Sequence, residues 1–81
     1  MKITIYSTTT CPYCHMLKEW LNEKNIEYKN IMVDEDQKGA EEMVKKSGQM
    51  GVPVTIIEKG GKENIVIGFD KEKLSELLDI K

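Results

Sequence analysis

Two cysteines, Cys11 and Cys14, are the residues whose type and spacing most directly indicate chemistry in this sequence. They enclose Pro12 and Tyr13, and the 81-residue chain has no other cysteine. Because a disulfide between residues three positions apart closes only a very small loop, it would add little to the stability of a fold. The pair therefore indicates redox chemistry or metal binding rather than a structural cross-link.

The position of the pair at a predicted helix start favours redox chemistry. Pro12 suits the first position of a helix, because proline has no N–H group to leave unpaired there. Cys11 would then face the free N–H groups and the positive end of the helix dipole, which favour a thiolate. Cys14 lies one turn further along the same face, close to anything bound to Cys11. We therefore expect Cys11 to be the nucleophile and Cys14 the resolving thiol of a thiol–disulfide exchange.

Three other interpretations of the cysteine pair remain open at this point. A structural zinc site usually has four ligands, and His15 together with the two cysteines supplies three. Residues 11–15 also match the C-x-x-C-H signature of haem attachment, although that modification requires export. The third alternative is a pair of inert core thiols, which fits Cys14 better than Cys11 because Cys11 follows a polar run.

The first three elements that position the pair follow from the hydrophobic pattern. A strand is predicted over residues 2–6, where polar and apolar residues alternate. A helix is predicted over residues 12–24, because apolar residues recur there at helical spacing. A second strand is predicted within residues 26–33, before the acidic cluster at 34–36, which suits the N-terminus of a helix.

A second helix is predicted over residues 37–47, and Gly48 is well placed to end it. Residues three and four positions apart share one face of a helix, so the apolar residues at that spacing predict the face that meets the core. The predicted face consists of Ala40, Met43, Val44 and Ser47.

Two strands and a last helix complete the predicted order. Residues 52–57 are nearly all apolar and predict a strand buried on both faces, and residues 64–67 repeat the pattern. Gly60 and Gly61 between these runs indicate a tight hairpin, and Asp70 can cap a final helix. A parallel, right-handed strand–helix–strand unit followed by a hairpin predicts an α/β fold: a mixed four-stranded sheet, order βαβαββα, with three helices.

Several segments resemble the glutaredoxin family over nearly the whole chain. The residues that carry the resemblance are 6–14, Leu17, Trp20, Leu21, Ser47, Gly48, Val52 and Pro53. The resemblance implies a thioredoxin-like fold and a thiol–disulfide oxidoreductase that reduces protein or glutathione mixed disulfides. It also implies disulfide-containing proteins as substrates, no bound cofactor, and glutathione as a candidate reducing co-substrate.

The resemblance also implies a substrate groove around the cysteine pair. In the family, the bond that corresponds to Val52–Pro53 is cis and faces the pair, and the backbone before the proline pairs with the bound thiol-peptide. The substrate-binding residues implied in this way are Pro12, Tyr13, Val52, Pro53, Gly68, Phe69 and Asp70. A helix cap is the alternative role for Asp70.

Two departures from the family pattern leave the reductant open. Many glutaredoxins have a lysine where this sequence has Thr8, and an acidic residue where it has Lys71. Phe69 and the missing glutathione contacts resemble redoxins that supply electrons to ribonucleotide reductase and are reduced by a thioredoxin reductase. Some family members instead hold an iron–sulfur cluster between two chains, but they usually have glycine in place of Pro12.

Composition and charge exclude several other classes of function. The chain has 12 basic and 14 acidic residues, a net charge of -2, and every basic residue is lysine. No basic stripe is present for a nucleic acid, and no arginine is present for bidentate phosphate recognition. No segment approaches the ~20 apolar residues of a membrane span, and the N-terminus lacks the apolar run of a secretory signal. We expect one domain over residues 1–81, a cytoplasmic monomer with no membrane or nucleic-acid partner.

Overall fold

Four strands and three helices follow one another in the predicted order. The computed structural model describes residues 2–79. The elements are β1 (Lys2–Ser7), α1 (Pro12–Glu23), β2 (Lys29–Met32), α2 (Gln37–Ser47), β3 (Val54–Lys59), β4 (Lys62–Ile67) and α3 (Lys71–Leu78). None of the helices within this part of the chain is both long and apolar enough to cross a membrane.

The strands form one mixed sheet in the order β2-β1-β3-β4. β1 is parallel to β2 and antiparallel to β3, and β3 and β4 form the predicted hairpin. Tyr6 of β1 is opposite both Ile31 and Val54, and Val54 is opposite Ile67. The segments after β1, before β3 and after β4 therefore meet at one edge of the sheet, which we call the active edge.

The helices cover the two faces of the sheet and enclose two apolar clusters. α1 and α3 pack on one face and α2 on the other. The first cluster consists of Ile3, Ile5, Leu17, Leu21, Ile57, Val66, Leu74 and Leu78, and the second of Tyr6, Met43, Val54 and Ile56. β3 contributes buried residues to both clusters, which confirms that it is covered on both faces.

The face that α2 turns to the sheet differs from the predicted one. Met43 is buried as expected, but Val44 is 37% exposed and Gly39 is buried instead. Gly39 lies directly over Ile31, and a Cβ atom there would collide with Cγ2 of that isoleucine. The helix is therefore rotated towards its glycine, because the residue without a side chain allows the closest approach to the sheet.

Two strand boundaries also differ from the predicted ones. β3 begins at Val54 rather than at residue 52, because Pro53 has no N–H group to donate to a neighbouring strand. β4 begins earlier than predicted, directly after the two-residue turn. Gly60 and Gly61 form that turn with φ values of 60° and 81°, the left-handed conformations that a tight hairpin requires at both positions.

We predict that Thr55→Val stabilises the fold. The Thr55 hydroxyl is fully buried in β3 and has no hydrogen-bond partner among residues 2–79. Because an unpaired buried hydroxyl keeps the cost of its lost hydration, its replacement by a methyl group should raise the free energy of unfolding by about 1 kcal/mol. Urea unfolding measures the change.

Thr55→Ser is the matched control for this substitution. It keeps the hydroxyl and removes the methyl group, so it should lower the free energy of unfolding by about 1 kcal/mol. A valine variant less stable than the wild type would contradict the assignment of an unpaired hydroxyl.

Candidate active site

Cys11 occupies the N-cap of α1, the position that the sequence predicts for the nucleophile. Its backbone is extended, Pro12 is the first residue of the helix, and the Cys11 sulfur accepts a hydrogen bond from the Cys14 N–H at 3.1 Å. N-cap side chains commonly accept such a bond from the first helical turn. Here the acceptor is the Cys11 sulfur, which therefore lies where the first turn of the helix provides N–H donors.

Cys14 lies one turn further along α1, inside the protein. Its side chain is fully buried, whereas Cys11 retains 9% of its surface. Burial raises the pKa of the Cys14 thiol from 9.0 to about 11, and its hydrogen bond with Cys11 acts in the same direction. Cys14 is therefore protonated at neutral pH and inaccessible to a large disulfide, while a small part of Cys11 remains accessible. The two thiols are not bonded to each other.

The loop that delivers Cys11 is tied to the turn after β2. The Asp34 carboxylate accepts hydrogen bonds from both the Thr9 N–H, at 3.2 Å, and the Thr9 hydroxyl, at 2.6 Å. These bonds lower the pKa of Asp34. Nε2 of His15 lies 3.4 Å from the Thr9 carbonyl oxygen. Thr9 is thus contacted by Asp34 of the turn after β2 and by His15 of α1.

Sequence reasoning did not single out Asp34. It assigned the acidic cluster at residues 34–36 to the start of the second helix, and only Asp36 performs that role, by accepting a hydrogen bond from the Gly39 N–H. The contact between Asp34 and Thr9 spans 25 positions of the chain. It depends on the parallel pairing of β1 and β2, and no local pattern indicates it.

The segments with Val52, Pro53 and Gly68 lie at the active edge. The Val52–Pro53 bond is cis, as the family resemblance predicts, and Pro53 is buried. The Gly68 N–H donates to the Pro53 carbonyl oxygen at 2.8 Å, with Gly68 in a left-handed conformation. Val52, Pro53 and Gly68 therefore lie beside the end of β1, the strand that leads to Cys11. Their contact with substrate stays a prediction.

The remaining predicted groove residues have different surroundings. Pro12 and Tyr13 are exposed on the first turn of α1, and Tyr13 is 62% exposed. Phe69 packs edge-to-face on Trp20, with ring centroids 6.1 Å apart. Asp70 caps α3 by accepting a hydrogen bond from the Lys73 N–H, which confirms the alternative role predicted for it.

Metal ligands were a second interpretation of the cysteine pair. Over residues 2–79, no three or more histidine, cysteine, aspartate or glutamate side chains are grouped closely enough to hold an ion. His15 is exposed, and its ring lies beside the Thr9 backbone.

A mixed four-stranded sheet that presents a Cys-x-x-Cys pair at a helix N-terminus defines a redox domain with the thioredoxin-like fold. The glutaredoxin family model matches residues 3–62 of this chain. The chain belongs to the glutaredoxin family. This confirms the family resemblance and the fold predicted from the sequence, and it identifies a thiol redox protein.

Relatives and solved structures agree with this assignment over nearly the full chain. A glutaredoxin-like protein of 8.6 kDa in the rubredoxin operon of Clostridium pasteurianum is 44% identical over 77 residues, which cover 95% of this chain and 97% of that protein. The glutaredoxin of Archaeoglobus fulgidus has a TM-score of 0.80 at 32% identity, covering 95% of this chain and 85% of that one. The glutaredoxin-like NrdH-redoxin of Escherichia coli, noted for a thioredoxin-like activity profile, has a TM-score of 0.78 at 27% identity, covering 95% of each chain.

The raised pKa of Cys14 predicts that the reduced protein loses stability at alkaline pH. In the unfolded chain this thiol ionises near 9.0, and in the folded protein near 11. Above the unfolded pKa, the unfolded state binds fewer protons than the folded state, so rising pH favours unfolding. The protonated Cys14 thiol makes its full contribution to the free energy of unfolding below about pH 9. About 1 to 3 kcal/mol of that free energy should be lost as the pH rises through about 11.

The measurement is the difference in unfolding free energy between the wild type and Cys14→Ala, both fully reduced, at a series of pH values. The tyrosines and lysines are common to both proteins, so their titration largely cancels in this difference. The advantage of the wild type should shrink above about pH 9. A difference that stays constant with pH would contradict the buried, protonated state of Cys14.

Proposed function

We propose that this protein reduces disulfide bonds in other proteins through its Cys11–Cys14 dithiol. The observation that carries the proposal is the unequal placement of the two thiols. Cys11 keeps 9% of its surface exposed and accepts a helix N–H, whereas Cys14 is fully buried with a pKa of about 11. This asymmetry assigns the attack on substrate to Cys11 and the intramolecular step to Cys14.

The first step forms a mixed disulfide. The Cys11 sulfur, as a thiolate, attacks one sulfur of the target disulfide, the target S–S bond breaks, and the second target sulfur leaves as a thiolate that takes a proton from solvent. The Cys14 N–H lies 3.1 Å from the Cys11 sulfur, so the amide stabilises negative charge on that atom before attack.

The second step releases the target. Cys14 loses its proton, its sulfur attacks the Cys11 sulfur, and the bond between Cys11 and the target breaks, so that two electrons have passed from the dithiol to the target. Because the pKa of Cys14 is about 11, this proton must be removed as the sulfur attacks. The target sulfur that leaves Cys11 in this step takes up that proton, so the target is released as a thiol.

The reductant that we propose is a thioredoxin reductase, with glutathione as the alternative. Lys71 supports this choice, because its ammonium nitrogen lies 5.4 Å from the centroid of the Phe69 ring at the start of α3. The family resemblance expects an acidic residue there to pair with the glutathione amine, and a held cation would repel that amine. Thr8 likewise provides no charge for a glutathione carboxylate.

The remaining features of the proposal follow from this cycle. The two electrons come from the dithiol itself, so the exchange needs no bound cofactor. A cysteine pair that must return to the reduced state suits the cytoplasm, where thiols are kept reduced. We propose that the protein acts there as a monomer, because the cycle uses thiols from one chain.

Serine substitutions separate the two thiols. Cys11→Ser should reduce turnover of a protein disulfide such as insulin to the uncatalysed rate, because the attacking sulfur is gone. Cys14→Ser should form the mixed disulfide and stop there, so that a covalent adduct accumulates and appears by mass spectrometry. Normal turnover by Cys11→Ser would refute the proposed function.

The reductant is identified by coupling the oxidised protein to NADPH oxidation in two parallel assays. One contains thioredoxin reductase, and the other contains glutathione with glutathione reductase. We expect turnover with thioredoxin reductase and little with glutathione. Lys71→Glu should raise glutathione-coupled turnover about two- to fivefold, because it replaces repulsion by an ion pair at an exposed site. Turnover by the wild type with glutathione alone would favour the alternative reductant.

A further inference from the structure

A groove of about 180 Å³ runs along the exposed side of α1, opposite the start of α3. Its lining residues are Met16, Glu19, Trp20, Glu23, Phe69 and Lys71. We call it the α1 groove. Of these residues, only Phe69 belongs to the substrate groove that the family resemblance implies.

The α1 groove leads away from the active site. On the α1 side the groove is lined by Met16, Glu19 and Glu23, and the exposed Pro12, which precedes Met16 by four positions, extends the same helical stripe to the position next to Cys11. Its opposite wall continues from Gly68, which is hydrogen-bonded to Pro53 at the active edge. A chain attached to Cys11 would therefore reach the groove by following this stripe past Pro12.

The α1 groove combines an apolar floor with two carboxylates on its α1 side and the Lys71 ammonium group on its α3 side. Trp20 and Phe69 pack edge-to-face, and the Met16 side chain beside them is 48% exposed. Glu19 and Glu23 are exposed, and neither makes an ion pair with a lysine within residues 2–79. The α1 side of the groove therefore suits an apolar side chain next to a cationic one and disfavours an acidic segment, whereas Lys71 repels a cation placed on the α3 side.

The length of the helix determines which part of a substrate reaches this rim. With a rise of about 1.5 Å per residue, Glu19 and Glu23 lie about 10 and 16 Å along the axis from Pro12. An extended peptide covers about 3.3 Å per residue. A side chain about three to five positions from the reacting cysteine therefore lies over the two carboxylates.

We infer that the α1 groove is a specificity site for the disulfide substrate. It accepts an extended segment in which an apolar residue lies on Met16 and Trp20 and a lysine or arginine lies at Glu19 and Glu23. This inference rests on the proposed reduction of protein disulfides. It adds a substrate class to that function: disulfides whose cysteine has a basic residue about three to five positions away.

The test compares three symmetrical peptide disulfides with the reduced protein. Each peptide carries leucine two positions and a variable residue four positions from its cysteine, and the variable residue is lysine, glutamine or glutamate. A second set has the reversed sequence, so both directions along the groove are covered. Second-order rate constants come from acid-quenched samples separated by chromatography.

We expect the lysine peptide of one set to react about 3- to 10-fold faster than its glutamine analogue, and the glutamate peptide to react most slowly. The factor corresponds to exposed ion pairs with a small cation–π contribution. Added salt should reduce it, because such pairs are screened. Trp20 is the only tryptophan of the chain, so its fluorescence in the trapped Cys14→Ser adduct should change with the lysine peptide.

Two double variants distinguish the groove from the overall charge of the protein. Glu19→Gln with Glu23→Gln should abolish the preference for lysine without slowing the glutamine peptide. Glu41→Gln with Glu58→Gln removes the same charge from exposed positions of α2 and β3 and should preserve the preference.

The outcomes separate this inference from the function on which it rests. Equal rates for the three peptides in both sets, or a preference that survives in the Glu19 and Glu23 variant, would overturn the specificity site and leave disulfide reduction intact. If the wild type reduces none of the peptides and no insulin, the proposed function fails, and the inference fails with it.

Discussion

The chemistry proposed for this protein depends on the hydrogen bond from the Cys14 amide to the Cys11 sulfur. This bond exists because β1 ends at Ser7 and α1 begins at Pro12, which leaves Cys11 as the cap of the helix. A helix start has N–H groups that no earlier turn can satisfy. The side chain at the cap meets them, and here that side chain is the Cys11 thiol, the nucleophile that we propose. The same turn directs Cys14 into the core, where burial keeps it protonated.

The pairing of the strands assembles the rest of the site around that helix start. Because β1 is parallel to β2 and antiparallel to β3, the end of β1 lies beside the end of β2 and the beginning of β3. The loop with Thr9 can therefore be held by Asp34, and the cis Val52–Pro53 bond lies at the same edge as Gly68. Groups from four separate parts of the chain thus meet without a long functional loop.

The contrast between Ile5 and Val44 shows where sequence reasoning succeeds and fails. The alternation over residues 2–6 predicted β1 correctly, because a strand has only two faces to choose from, and Ile5 is buried in the first cluster. The prediction of the buried face of α2 was partly wrong, because the hydrophobic Val44 is exposed whereas the less hydrophobic Gly39 is buried. Close approach of a helix to a sheet favours the smallest residue, which a hydrophobic pattern does not register. Asp34 was missed for a related reason, since its partner is remote in sequence.

The sequence by itself determined the order of elements, the cysteine pair at the start of α1, the glycine turn of the hairpin and the cap at Asp70. These features depend on spacing and on the conformational limits of proline and glycine, which act over a few residues. Only the tertiary structure decided the burial of Cys14, the contact between Asp34 and Thr9, and the groove beside Trp20. Those features depend on which segments, far apart in the sequence, the sheet brings together. Desolvation and contact distances exist only after the chain has folded.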